Sequence, residues 1–309
     1  AHAILTTAAF NASIPLKGLA VGNGCWGGDA NSVVCNGDNA EQNDLDNYWG
    51  KGLISNRMYH DAYTTCGFKY GGDVVGSGGG ELSSECDQAL EDVSHTVGPH
   101  DIYDIYDNCP GAAEWHAKSG KSPRWLRNYL RAHLASPSRT SNSKRRHLAD
   151  LAGGYAWPCG GIDTLGDWMK RPEIMAAFHF DKANPVEFDY NTSGPASITL
   201  WPALAQKLRV LIYNGDADDC VPYHGNEEWT TGLEAQGVLA EKKAWHPWYK
   251  NPSSNGATIP QGYATSYDVV GSDKDFTFIT IRLAGHMVPA FRNDAAFAFF
   301  SRFLDRTPF

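Results

Sequence analysis

The chain has 309 residues, of which 42% are apolar, and this is enough for the core of one large or two ordinary domains. Acidic residues outnumber basic ones by 35 to 26, and the net charge of −9 argues against a nucleic-acid partner, because such partners require basic faces. The longest apolar run, near 295–300, is far shorter than the roughly 20 residues that span a bilayer, so we expect no membrane association.

Local patterns predict helices and strands in chain order. Residues 1–24 indicate the end of a helix followed by a core strand. Residues 50–180 carry few strand signals but several helical patterns, which lie at 56–65, 84–93 and 123–134. Two later β-prone segments, 209–213 and 276–283, each end at a glycine-containing turn and predict buried strands.

These elements predict an α/β architecture with an insertion. We assign residues 1–49 and 181–309 to the sheet-containing core, and residues 50–180 to a mainly helical cap above the strand ends. Within the cap, residues 136–150 begin with a polar and basic stretch whose composition favours an exposed, unstructured segment. Because proteases prefer such segments, we expect this loop to be a site of excision, with an uncut flexible loop as the alternative.

An acid and a histidine each follow one of the two late strands. Asp218 lies just past the first strand, and His286 lies just past the second. Sites in open α/β sheets form at the carboxyl ends of strands, so the two side chains can meet although 68 positions separate them. An acid followed by a histidine is the order in which α/β-hydrolases carry the last two members of a Ser-His-Asp triad. Asp216 and Asp219 remain alternatives for the acid.

The nucleophile of such a triad is missing from the sequence. A nucleophile elbow requires Gly-x-Ser-x-Gly, and Ser77 comes closest, but Val75 stands where the first glycine belongs. Cys25 and Cys220 also lack the elbow context. No zinc-binding pattern occurs, and the short glycine segment 22–24 cannot cradle a phosphate, so the sequence predicts neither a metal nor a cofactor.

Six segments together carry a family resemblance. They lie at 16–24, 52–55, 101–106, 211–218, 284–289 and 295–304. With these segments the chain resembles the serine carboxypeptidases, in particular the branch of cathepsin A and yeast carboxypeptidase Y, with some plant-like features. The resemblance implies the C-terminal part of an α/β-hydrolase fold with a mainly helical inserted cap.

The resemblance also implies a function, which is the release of C-terminal residues from peptide substrates. The family's catalytic acid falls on Asp218, its histidine on His286, and its active-site methionine on Met287. The family's nucleophile belongs upstream of residues 3–5, so we expect a missing N-terminal segment or a separate chain to carry it, and this chain alone to be inactive. A carboxypeptidase-like acyltransferase is an alternative, as is a non-catalytic relative if the native chain begins at Ala1.

The cysteines and two glycosylation sequons fit the secretory pathway, and the resemblance implies a lysosomal, vacuolar or extracellular destination. The sequons begin at Asn11 and Asn191. Spacing alone does not fix the pairing of seven cysteines. The resemblance implies the pairs Cys66–Cys86 and Cys109–Cys159; we extend it to Cys25–Cys35, and expect Cys220 to pair with the missing segment. Seven reduced cysteines in a cytosolic protein and a homodimeric assembly are alternatives that the sequence leaves open.

Overall fold

The computed structural model describes residues 1–7, 13–26, 39–69, 82–107, 168–179, 196–251 and 258–309. The helices in these ranges are α1 (His2–Thr6), α2 (Ala40–Gly50), α3 (Asn56–Cys66), α4 (Ser84–Val97), α5 (Pro172–Ala177), α6 (Trp201–Ala205), α7 (Tyr223–Ala235), α8 (Val288–Phe291) and α9 (Asn293–Asp305), with a 3-10 turn at Ser197–Leu200. The strands are β1 (Gly18–Gly22), β2 (Arg209–Gly215), β3 (Leu239–Trp248), β4 (Gly262–Val269) and β5 (Asp275–Ile281).

The strands form one mixed sheet, in the order β1-β2-β5-β4-β3. β1, β2 and β5 are parallel, whereas β4 and β3 continue the sheet in antiparallel fashion. The two predicted late strands are present as β2 and β5, and the predicted strand within residues 1–24 is β1. Because these three strands are parallel neighbours, their carboxyl ends meet at the same edge of the sheet.

Helices cover both faces of the interior strand β2, and this explains its nearly continuous apolar sequence. Val210 and Ile212 point into a cluster with the stacked indole rings of Trp201 and Trp229, whose centroids are 5.3 Å apart. Leu211, between them, packs on the opposite face with side chains of α9. The alternation follows the two-residue period of a strand and holds the carboxyl edge on a rigid scaffold.

The helices α2, α3 and α4 pack together through a second small core. Leu45 and Tyr48 of α2 contribute the largest buried side chains to it. A disulfide bond between Cys66 and Cys86 joins the end of α3 to the start of α4, which confirms that predicted pair. The boundary that we placed at 49/50 falls at the end of α2, and α2 contacts both α7 and the α3–α4 pair. The division into core and cap remains a prediction.

Several sequence-based expectations concern residues outside the described ranges. They are the helix at 123–134, the loop at 136–150, the elbow-like Ser77, the cysteines Cys35, Cys109 and Cys159, and the sequons at Asn11 and Asn191. Cys25 is disulfide-bonded, and Cys220 is a buried thiol whose predicted pairing stays a prediction. Among the helices that the structure describes, none has the length and apolar character needed to cross a membrane.

Candidate active site

Two loops at the carboxyl edge of the sheet bring Asp218 and His286 into contact. β2 ends at Gly215 and β5 ends at Ile281, so each loop leaves the sheet a few residues before its functional side chain. The imidazole Nδ1 of His286 lies 2.9 Å from Oδ2 of Asp218. The structure thus joins the acid and the histidine that the sequence order had placed in one site.

The Asp218 carboxylate is buried and receives three hydrogen bonds. Its side chain is 0% exposed. The backbone N–H of Cys220 donates to Oδ1 at 2.8 Å, and the Asn23 amide donates to Oδ2 at 2.7 Å, beside the bond from His286. The backbone N–H and the amide fix the plane of the carboxylate, so that one oxygen is directed at the imidazole.

Asn23 is a site residue that sequence reasoning missed. It follows β1 with a φ of 41°, in the left-handed region that asparagine tolerates better than most residues. Its backbone N–H donates to Tyr213 O at 2.9 Å, and its side-chain oxygen accepts from Gly215 N at 3.1 Å. Asn23 therefore links β1, the end of β2 and the Asp218 carboxylate. The only local signal was an asparagine between two glycines directly after a strand.

The position of His286 depends on the segment 101–106, which resembles the family but to which the sequence assigned no role. The backbone N–H of His286 donates to Tyr103 O at 2.7 Å, and the two rings meet edge-on with centroids 5.1 Å apart. Gly285 permits this approach, because a Cβ there would lie 2.0 Å from Tyr103 O. The glycine before the histidine is thus required by the close passage of another backbone.

The protonation chemistry of His286 suits a general base. Burial disfavours the charged ring, but the hydrogen bond and the negative charge of Asp218 outweigh it, so the pKa of His286 is raised above its ordinary value. Since Nδ1 faces a carboxylate, Nδ1 carries the proton and Nε2 is left as the acceptor. The side chain is 29% exposed, which gives the ring access to a reacting group.

The two alternative acids have other partners. Oδ1 of Asp216 accepts from the backbone N–H of Leu283 at 2.7 Å, and its Oδ2 lies 3.7 Å from Lys51 Nζ. Burial raises the pKa of Asp216. Asp219 pairs instead with a different histidine, His100, at 2.9 Å. Among the contacts of the described residues, Asp218 is the acid that bonds His286.

Met287 directly follows the histidine and precedes the short helix α8. The residue is 48% exposed, so it is open to a ligand, and its contact with a substrate remains a prediction. Within the described ranges, no group of three or more His, Cys, Asp or Glu side chains is arranged to hold a metal ion.

The sheet, its helices and the acid–histidine pair at its carboxyl edge define the class of the α/β-hydrolases. A crystal structure of a prohormone-processing carboxypeptidase from Saccharomyces cerevisiae has the same fold, with a TM-score of 0.52 and 17% sequence identity. The superposition covers 99% of this chain and 58% of that chain.

The serine carboxypeptidase family model matches residues 1–306, and the chain belongs to this family. Serine carboxypeptidase 1 of Hordeum vulgare is 26% identical over 82% of this chain and 51% of its own length. Serine carboxypeptidase-like 21 of Arabidopsis thaliana is 28% identical over 82% of this chain and 52% of its own length. The lysosomal protective protein of Mus musculus is 25% identical over 96% of this chain and 60% of its own length. The chain therefore spans roughly half to three-fifths of the length of these relatives, and the predicted family and fold are confirmed.

Proposed function

We propose that this chain forms the acid–histidine part of a serine-type carboxypeptidase that releases C-terminal residues from peptides. The observation that carries the proposal is the contact of His286 Nδ1 with the buried Asp218, which leaves Nε2 facing away from the acid. Membership of the serine carboxypeptidase family supports the same reaction class.

In the proposed reaction, a serine hydroxyl from a segment upstream of this chain attacks the carbonyl carbon of the last peptide bond. His286 Nε2 accepts the serine proton as the new carbon–oxygen bond forms. It then donates this proton to the leaving amine, so that the C–N bond breaks and an acyl-enzyme remains. A water molecule then attacks the acyl carbon and gives its proton to Nε2. Nε2 returns this proton to the serine oxygen as the bond between the serine and the shortened peptide breaks.

The role of Asp218 in this cycle is electrostatic and orienting. It fixes the tautomer in which Nε2 is basic, and it stabilises the imidazolium that forms when Nε2 takes the proton. The raised pKa of His286 follows from the same interaction, since a neighbouring carboxylate favours the charged ring. Met287, next to the histidine, is proposed to contact the substrate.

The direct test is His286→Ala in the complete enzyme, with a matched His60→Ala control. His60 is an exposed histidine on α3, so its loss should leave turnover unchanged. We expect His286→Ala to lower kcat by about 10⁴-fold or more on a peptide substrate, while the protein stays folded with a lower melting temperature, because Asp218 loses one hydrogen-bond partner. Turnover near that of wild type would overturn the proposed role.

A second experiment addresses the nucleophile and the alternative functions. A fluorophosphonate probe applied to the native protein should label one serine, flanked by small residues, outside residues 1–309. Absence of labelling in the native protein would favour the non-catalytic relative. Analysis of products formed from peptides and from acyl-glucose esters separates a peptidase from an acyltransferase.

A further inference from the structure

A second carboxylate–histidine pair lies directly beside the first. Asp219 follows Asp218 in the chain and its side chain is 0% exposed, while the side chain of His100 is 12% exposed. His100 Nε2 lies 2.9 Å from Asp219 Oδ2. The proposed reaction gives this pair no role, although it is buried next to the acid that the reaction needs.

The hydrogen bonds of His100 show which charge the pair carries. Its Nδ1 lies 3.0 Å from the carbonyl oxygen of Gly98, and its Nε2 faces the Asp219 carboxylate. Neither a carbonyl nor a carboxylate can donate, so both contacts are hydrogen bonds only when the ring carries both protons. An ionised Asp219 therefore requires an imidazolium at His100.

The Asp219 carboxylate is also held by donors from helix α2. The hydroxyl of Tyr48 donates to Oδ2 at 3.0 Å, and the amide of Asn47 donates to Oδ1 at 3.3 Å. With His100, three side chains from outside the 215–220 loop converge on one carboxylate. Such convergence restricts the loop far more than a single contact would.

The backbone that follows His100 connects this pair to both catalytic loops. Ile102 O accepts from the backbone N–H of Asp219 at 2.9 Å, and Tyr103 O accepts from the backbone N–H of His286 at 2.7 Å. The segment 101–106 thus links the acid loop to the histidine loop. The contact of His100 with Asp219 fixes the position at which this segment begins.

The charge balance also favours a role for the pair. Two adjacent buried carboxylates would repel each other, and a second negative charge would act on His286 in addition to that of Asp218. Other ionisable groups around the loops include Asp101, Asp104, Asp216, Tyr106, Lys51, Arg282 and Arg292. Burial raises the pKa of the three aspartates, and Lys51 lies beside Asp216. His100 contacts Asp219 directly, with Nε2 at 2.9 Å from Oδ2.

We propose that His100 and Asp219 are a positioning pair, which holds the acid loop so that Asp218 faces His286 and cancels the second buried negative charge. The inference rests on the proposed function, since the pair acts through Asp218 and His286 and touches no substrate.

The test is the pH profile of kcat/KM in the complete enzyme. His100→Gln keeps an N–H donor for Asp219 but removes the positive charge of the ring, so the added net negative charge beside Asp218 should stabilise the imidazolium of His286. The acidic limb of the profile should then move to higher pH by roughly half a unit. We expect kcat at the optimum to fall about tenfold with KM nearly unchanged, because orientation is lost and binding is not.

The double variant His100→Gln/Asp219→Asn separates the effect of charge on the pH profile from the effect of loop position on kcat. It removes both charges, so the acidic limb should return to the wild-type position while kcat stays low. A merely structural pair would not produce this reversal. His60→Gln is the matched control and should leave the profile unchanged. A His100→Gln profile that superimposes on wild type, or a double variant that keeps the shift, would overturn the proposal.

The proposal can also be tested without a variant. In the wild-type protein with ¹⁵N-labelled histidine, His100 should show two protonated ring nitrogens at neutral pH, and a neutral ring there would overturn the charge assignment. His286→Ala distinguishes the two failures. If it is inactive while His100→Gln behaves as wild type, only the positioning pair is wrong; if it is active, the proposed function fails and the pair loses its role with it.

Discussion

Replacing Asn23 by alanine should damage both the fold and the catalytic pair. The Asn23 amide donates to Asp218 Oδ2 at 2.7 Å, and its oxygen accepts from Gly215 N at 3.1 Å. Asn23 is 3% exposed, so bulk water cannot readily take over either contact. The alanine variant leaves a buried carboxylate and a buried N–H each short of one partner.

The magnitude follows from three contributions. A hydrogen bond to a charged group contributes about 1.5–3 kcal/mol to stability, and a neutral one about 1 kcal/mol. The φ of 41° adds roughly 1 kcal/mol, since alanine adopts the left-handed region less readily than asparagine. Together they predict a loss of about 4 kcal/mol. Because Asp218 would also lose one of the bonds that orient it, kcat should fall on the order of 10- to 100-fold.

Urea unfolding and steady-state kinetics of the complete enzyme measure the two effects. Asn23→Gly is the matched control, because glycine accepts the left-handed backbone but also lacks the amide. It should recover roughly 1 kcal/mol of stability relative to alanine and none of the lost kcat. If Asn23→Ala retained wild-type stability and turnover, the view that Asn23 secures Asp218 would be refuted.

Three further changes probe other parts of the structure. Gly285→Ala places a methyl group 2.0 Å from Tyr103 O, so it should displace the histidine loop and lower kcat by roughly 100-fold or more; an alanine variant with normal kinetics would contradict the geometry. Burial raises the pKa of Glu227, and a carboxyl with a raised folded-state pKa loses its stabilising contribution as pH rises through that pKa. Glu227→Gln should therefore raise the melting temperature at pH 7 but not at pH 4. An unchanged melting temperature at pH 7 would argue against a destabilising effect of the ionised Glu227. Cys66→Ser opens a disulfide of sequence separation 20 with Cys86 and should cost about 3 kcal/mol of stability without changing kcat; equal unfolding midpoints would exclude this contribution.

Much of the architecture could be predicted because its signals are local. The apolar run at 209–213 and the alternating aromatic and β-branched residues at 276–283 become β2 and β5, and the helical pattern at 56–65 becomes α3. The helix predicted at 84–93 continues to Val97, where Gly98 with a φ of 74° follows it. Side-chain periodicity and breakers act over a few residues, so they can be read without the fold.

The sequence by itself determined the family, the two late strands and the acid-then-histidine order of the site. Local context alone could not choose among Asp216, Asp218 and Asp219, because three acids on one turn look alike, and only the family resemblance assigned the role to Asp218. Only the tertiary structure decided that Asp218 contacts His286. It also brings Asn23 to Asp218 across 195 sequence positions, and His100 to Asp219 across 119 sequence positions. These contacts depend on the order of strands in the sheet and on the path of the 101–106 segment between the loops. Local sequence preferences do not encode such long-range distances, which arise only when packed elements bring distant backbones together.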